Sequence, residues 1–131
     1  MVEFISVLRL GCFLFSIRHE TNRAQLDISD ENGKHICCAT AECTKDDLQR
    51  LYNWISDLES SNFLGAPEII FVTSDLTLEM AFSDVDDESV TIGIFLKYQE
   101  DASRSYIGIR GRCGRDVISE FGKSLVSGIQ N

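Results

Sequence analysis

The run His35-Ile-Cys-Cys-Ala-Thr-Ala-Glu-Cys43 holds three of the chain's five cysteines and one of its two histidines. Thiolate and imidazole bind zinc and carry thiol redox reactions, so chemistry would start here. The spacing argues against it. Structural zinc sites supply paired cysteines two to four residues apart plus a second pair, whereas Cys12 and Cys113 are distant singles. In an extended strand Cys37 and Cys38 point to opposite faces and cannot converge on one ion without a bulge. His35, Cys37, Ala39, Ala41 and Cys43 then share a face, and the run reads as a packed strand with no metal and no cofactor.

Other candidate sites give way to similar tests. The segment Asp84-Val-Asp-Asp-Glu-Ser89 has the carboxylate density of a calcium loop, but Ser89 stands where the turn glycine belongs and Phe95 where the bidentate glutamate belongs. It reads as a solvated hairpin loop whose negative charge suits a basic partner. Gly108-Ile-Arg-Gly-Arg-Cys-Gly114-Arg-Asp sets glycines and arginines before a helix, yet it lacks the Gly-Lys-Ser/Thr ending of a P-loop and the G-x-G-x-x-G order. Glycine bends in an exposed strand account for it, with Arg110 and Arg112 on one face where acids can pair with them. His19 and His35 fall in no nucleophile–base motif, so no enzyme is expected.

These residues belong to a chain of 131 residues with 12 Lys and Arg against 21 Asp and Glu, a net charge of −9. That balance opposes nonspecific nucleic-acid binding, which draws its affinity from cations on phosphates. No apolar run approaches the roughly 18 residues of a membrane span. Glu3 replaces the positive start of a signal peptide, and an odd number of cysteines favours reduced thiols, so the expected location is cytoplasmic. One globular domain over residues 1–131 is expected, long enough to bury a core without staples.

The elements that position the candidates follow from periodicity. Apolar segments at 2–9, 12–19, 24–30 and 34–43 are separated by turn signals, and Asp30-Glu-Asn-Gly33 is a hairpin turn because Asn-Gly tolerates positive φ. Ala24, Leu26 and Ile28 alternate with Gln25, Asp27 and Ser29, the period of a half-buried strand. From Thr44 the period changes. Thr44 can cap a helix whose Asp46 and Asp47 suit its positive end and whose Leu48, Leu51, Ile55 and Leu58 share one face, with Trp54 and Tyr52 at the stripe's edge. After Pro67 the two-residue period returns, with Leu76, Leu78, Met80 and Phe82 on one face and Val90, Ile92, Ile94, Leu96 and Tyr98 on the next. A strand near 105–112 precedes a helix from Arg115 to Ile129, where Val117, Phe121, Leu125 and Ile129 recur every fourth residue. The expected fold is α+β: a largely antiparallel sheet of seven to eight strands in two meanders, with one mid-chain and one C-terminal helix packed on it and no internal repeat.

The signature Asp47-Leu-x-x-Leu51-x-x-Trp54-Ile-x-x-Leu58, the runs Glu68-Ile-Ile-Phe-Val and Leu76-Thr-Leu-Glu79-Met-Ala-Phe82, the strand Val90-Thr-Ile-Gly-Ile-Phe-Leu96 and the closing helix resemble the WapI-like immunity proteins of bacterial contact-dependent and polymorphic toxin systems. The resemblance implies a cytosolic protein that binds and neutralises a cognate toxin domain, often a nuclease. It makes the expected partner a basic toxin domain, with neither nucleic acid nor membrane bound directly and oligomeric state left open. Asp84, Asp86, Asp87 and Glu88 are the expected contact residues, and Asp57 and Glu59 extend the acidic surface. The alternative is a non-catalytic scaffold or accessory subunit that binds another protein without inhibiting it.

Overall fold

The computed structural model describes residues 4–59, 69–97, 106–126 and 129. Strands β1 (Phe4–Leu10), β2 (Phe13–Glu20), β3 (Arg23–Asp30) and β4 (His35–Glu42) precede helix α1 (Lys45–Glu59). Strands β5 (Ile69–Val72), β6 (Leu78–Ser83), β7 (Ser89–Lys97) and β8 (Tyr106–Gly114) precede helix α2 (Arg115–Ser124). Each meander forms its own four-stranded antiparallel sheet with strands in sequence order. The expected α+β architecture is therefore present. The order ββββα also occurs twice, a repeat of topology for which the residues show no matching repeat.

Local chemistry sets the turns. Gly33 sits at φ 85, its N–H reaches the Asp30 carbonyl at 3.0 Å, and Asp30 Oδ1 accepts the N–H groups of Asn32 and Lys34 at 2.9 Å each. That hairpin is the expected one. In β3, Ala24, Leu26 and Ile28 are at most 1% exposed, as the alternation requires.

Strand β4 departs from plain alternation. Ile28 pairs with Cys37 and Ser29 with His35, so a bulge at Ile36 shifts the register. His35 consequently leaves the face of Cys37 and Ala39, which pack on the core, and binds the outward Asp27. Two other expectations shift as well. Leu76 lies before β6 in a turn at φ 65 and is 45% exposed, and Val117 faces outward while Ile118, Phe121 and Leu125 turn inward. Tyr98 and Glu68 lie outside the described residues.

One hydrophobic cluster joins the inner faces of both sheets to both helices. Trp54 packs at 4.7 Å between ring centroids on Phe82 and 6.3 Å on Phe71, and Phe15 of the first sheet meets Phe121 of α2 at 6.3 Å. Each fully buried large side chain of this kind contributes about 1.5–3 kcal/mol. The helices cross closely at Gly122, where a Cβ would lie 2.9 Å from Ile55 Cγ2. The glycine that weakens α2 as a helix therefore permits its packing on α1.

The start of α1 is fixed by a reciprocal capping box. Thr44 Oγ1 accepts the Asp47 N–H at 3.2 Å and Asp47 Oδ2 accepts the Thr44 N–H at 3.1 Å. Asp47 also accepts the Ser74 hydroxyl at 2.7 Å and pairs with Arg50, whose guanidinium bonds the Val72 carbonyl and lies 5.1 Å above the Phe71 ring. Burial pushes the Asp47 carboxyl up, but Ser74, the Thr44 N–H and Arg50 outweigh it and hold it below the usual carboxylate range. The result locks α1 to β5 and to the turn before β6. Among the described residues no helix is long and apolar enough to cross a membrane.

Candidate partner-binding site

The sequence points to the acidic loop between β6 and β7, and its backbone is built to expose charge. Asp84 takes φ 50, and Val85 turns inward to 7% exposure, which pins the loop to the core. Asp84, Asp86, Asp87 and Glu88 all stay exposed. Asp86 organises the turn: its Oδ1 accepts the N–H groups of Glu88 at 2.9 Å and Ser89 at 2.8 Å, while its own N–H reaches the Ser89 carbonyl at 3.0 Å. Those two N–H groups, followed by Arg112, hold its carboxyl below the usual range.

Two arginines brace the loop, and the sequence reading assigned neither to it in full. Arg112 on β8 donates to Asp86 Oδ2 at 2.7 Å, Ser89 Oγ at 2.9 Å and Thr91 Oγ1 at 3.0 Å, the strand-face pairing that the alternation of β8 suggested. Arg115, the first residue of α2, spans further. Its backbone N–H meets the Glu88 carbonyl at 2.9 Å, one guanidinium nitrogen meets the Asp86 carbonyl at 3.2 Å, and another meets the Leu58 carbonyl near the end of α1 at 2.6 Å. Asp57 is exposed beside Leu58, and Asp116 is exposed in the first turn of α2. Arg115 thus ties the loop that carries Asp84, Asp86, Asp87 and Glu88 to the last turn of α1, which carries exposed Asp57, and to the first turn of α2, which carries exposed Asp116. The Glu59 side chain lies outside the described set. The only signal for Arg115 in the sequence was a glycine-arginine run before a helix, and nothing in it named a contact 57 residues away.

The cysteine run forms no comparable centre. Cys43 and Cys113 are buried, and burial, foremost, pushes their thiols up to about 12 and about 11. Such thiols are poor nucleophiles and poor metal ligands. Cys38 is exposed on the outer face of the first sheet, where His35 Nδ1 lies 2.7 Å from Asp27 Oδ1. With Ser16, Arg18 and Gln25 these residues line an open hollow of about 770 Å³. No group of three His, Cys, Asp or Glu with metal-binding geometry occurs among the described residues.

No family model and no curated protein matches the chain. Among solved structures, a chain in the structure of a guide-RNA-binding protein complex bound to a guide RNA superposes with a TM-score of 0.56 over 98% of this chain and 89% of that one, at 10% sequence identity. At that identity the likeness is one of fold alone. It extends over both ββββα units.

Proposed function

We propose that the chain is an immunity protein that binds and neutralises a cognate toxin domain through its acidic end. The observation that carries this reading is the convergence on Arg115, which joins the β6–β7 loop, the end of α1 and the start of α2, each bearing exposed carboxylates. A toxin that acts on nucleic acid must offer positive charge to phosphate, and a fixed acidic surface can cover that charge and raise the association rate. The resemblance to WapI-like immunity proteins points the same way, and the module needs no catalytic group.

Co-expression with the protein encoded immediately upstream tests the reading, through tagged pull-down and growth with and without this chain. A stoichiometric complex with restored growth supports immunity. A complex that leaves the partner's activity intact supports the scaffold alternative, and the absence of any complex overturns both for that partner.

One observation favours a different reading, RNA binding. The Phe95 ring lies across the outer face of the second sheet over Gly93 and Gly108, where a Cβ would come within 2.8 Å and 2.5 Å of it, and Arg110 is the cross-strand neighbour of Gly93. A flat ring near cations can stack a base, and the shared fold has a member in an RNA complex. The net charge of −9 opposes this reading. Fluorescence anisotropy with a single-stranded RNA at low salt decides it: binding that Phe95→Ala removes supports it, and no binding overturns it.

A further inference from the structure

We infer that Arg115 is a positioning residue for the acidic end: a cation placed inside an anionic surface to hold its carboxylates in a binding geometry. The inference rests on the immunity reading and adds a claim that surface charge alone contradicts. Removing a cation from a surface that meets a basic partner should, by Coulomb attraction alone, strengthen binding. The geometry points to the opposite outcome.

Arg115 contacts backbone carbonyls, those of Asp86 and Leu58, at 3.2 and 2.6 Å. Its guanidinium bridges the end of α1 and the β6–β7 loop, because a planar fork offers several donors in fixed directions. The backbone N–H of the same residue is bonded to Glu88, so the start of α2, the loop and the end of α1 meet at one residue. Arg112 acts from the sheet side, fixing the Asp86 carboxylate against Ser89 and Thr91. Without the bridge, Asp84, Asp87 and Glu88 repel one another and the loop samples more conformations, which the partner must then reorder on binding. Such a loss falls on the dissociation rate, whereas long-range charge acts on the association rate.

The test uses Arg115→Gln and Arg115→Lys in the full chain, with two readouts. Amide hydrogen exchange of residues 84–89 in the chain alone reports the loop. Association and dissociation rates with the toxin domain encoded beside the chain report the interface. For R115Q, exchange should quicken about tenfold with the global melting temperature little changed, and dissociation should quicken about tenfold while association stays level or rises. R115K keeps the charge but loses the fork, so it should fall between the two proteins. Unchanged exchange, or tighter binding by R115Q, overturns the inference. A wild-type protein that fails to bind the domain overturns the immunity reading instead, and exchange still judges the brace. If R115Q does not fold, Arg112→Gln repeats the comparison from the sheet side.

Discussion

The two ends of α1 use the same bonding vocabulary for opposite purposes. At the first turn, Asp47 accepts a backbone N–H and a hydroxyl and pairs with Arg50; near the last turn, Asp86 of the β6–β7 loop accepts two backbone N–H groups and pairs with Arg112. The Asp47 side chain is 0% exposed, and that of Asp86 is 59% exposed. Burial turns the first carboxylate into a joint, since its charge is consumed by internal partners and its loss would leave donors unpaired. Exposure leaves the second able to act on a partner while it shapes its own turn. Hydrogen bonding alone does not distinguish an aspartate consumed inside the fold from one still accessible to solvent; exposure does.

Breaking the buried end should have the largest effect. Asp47→Ala removes the capping box, the Ser74 contact and the Arg50 pair together, and should cost about 3 kcal/mol, read from urea unfolding monitored by Trp54 fluorescence. Asp86→Ala should barely move that midpoint. Equal losses at both positions would erase the contrast between the two ends.

The pH dependence of stability follows from the same carboxylates. In Asp75, as in Asp47, burial pushes the carboxyl up but is outweighed, here by the N–H groups of Glu42 and Thr77 and the hydroxyls around it, so both have lowered values in the folded chain. The unfolded chain then binds protons more readily than the folded one in acid. The stabilisation is fully present above the ordinary aspartate value near about 4 and is lost as pH falls below it through the lower folded values. The urea midpoint should be nearly flat from about pH 7 to about 5 and drop below about 4. In D47A the drop should be shallower; an identical slope would assign the acid loss elsewhere.

How much of this was legible in the sequence differs between the ends. The capping box is local: Thr44 and Asp47 are three residues apart, and threonine before acids at a change of period announces a helix start. The strands were equally legible, because alternation such as Ala24, Leu26, Ile28 is a local pattern. The Ser74 hydroxyl on Asp47 is 27 residues away and the Leu58 carbonyl on Arg115 is 57 away, and no periodicity encodes such contacts. The acidic loop could be picked by charge, but its arginine braces come from another strand and another helix. The bulge in β4 was hidden for a related reason: one extra residue reverses which face His35 occupies, and nothing in the run His35-Ile-Cys-Cys marks where it is inserted.

Thiol labelling sharpens the contrast with a smaller effect. Cys43 adjoins the buried end, and after burial the charges of Asp47 and Asp75 also push its thiol up. Iodoacetamide at pH 8, followed by mass spectrometry, should modify exposed Cys12 and Cys38 first, and Cys43 and Cys113 only as the chain unfolds. In D47A both buried thiols should label faster through the lost stability, and Cys43 by more than Cys113, since the substitution also loosens the joint beside it and removes a repelling carboxylate. Equal acceleration at Cys113 would mean that the whole fold, not one end of α1, has loosened.

The exposed end should yield the smallest change in stability and a clear change in encounter. Asp87 is exposed in the loop, so Asp87→Lys should leave the melting temperature within the scatter of surface substitutions. With a basic toxin domain, however, association should slow about threefold to tenfold at low ionic strength. Near 1 M salt, where the Debye length is about 3 Å, the two proteins should associate at the same rate. If the ratio persisted at high salt, Asp87 would act through direct contact rather than through the field of the loop. If no ratio appeared at low salt, the loop would lie away from the interface, and the acidic end would be a solvated surface whose braces serve the fold alone.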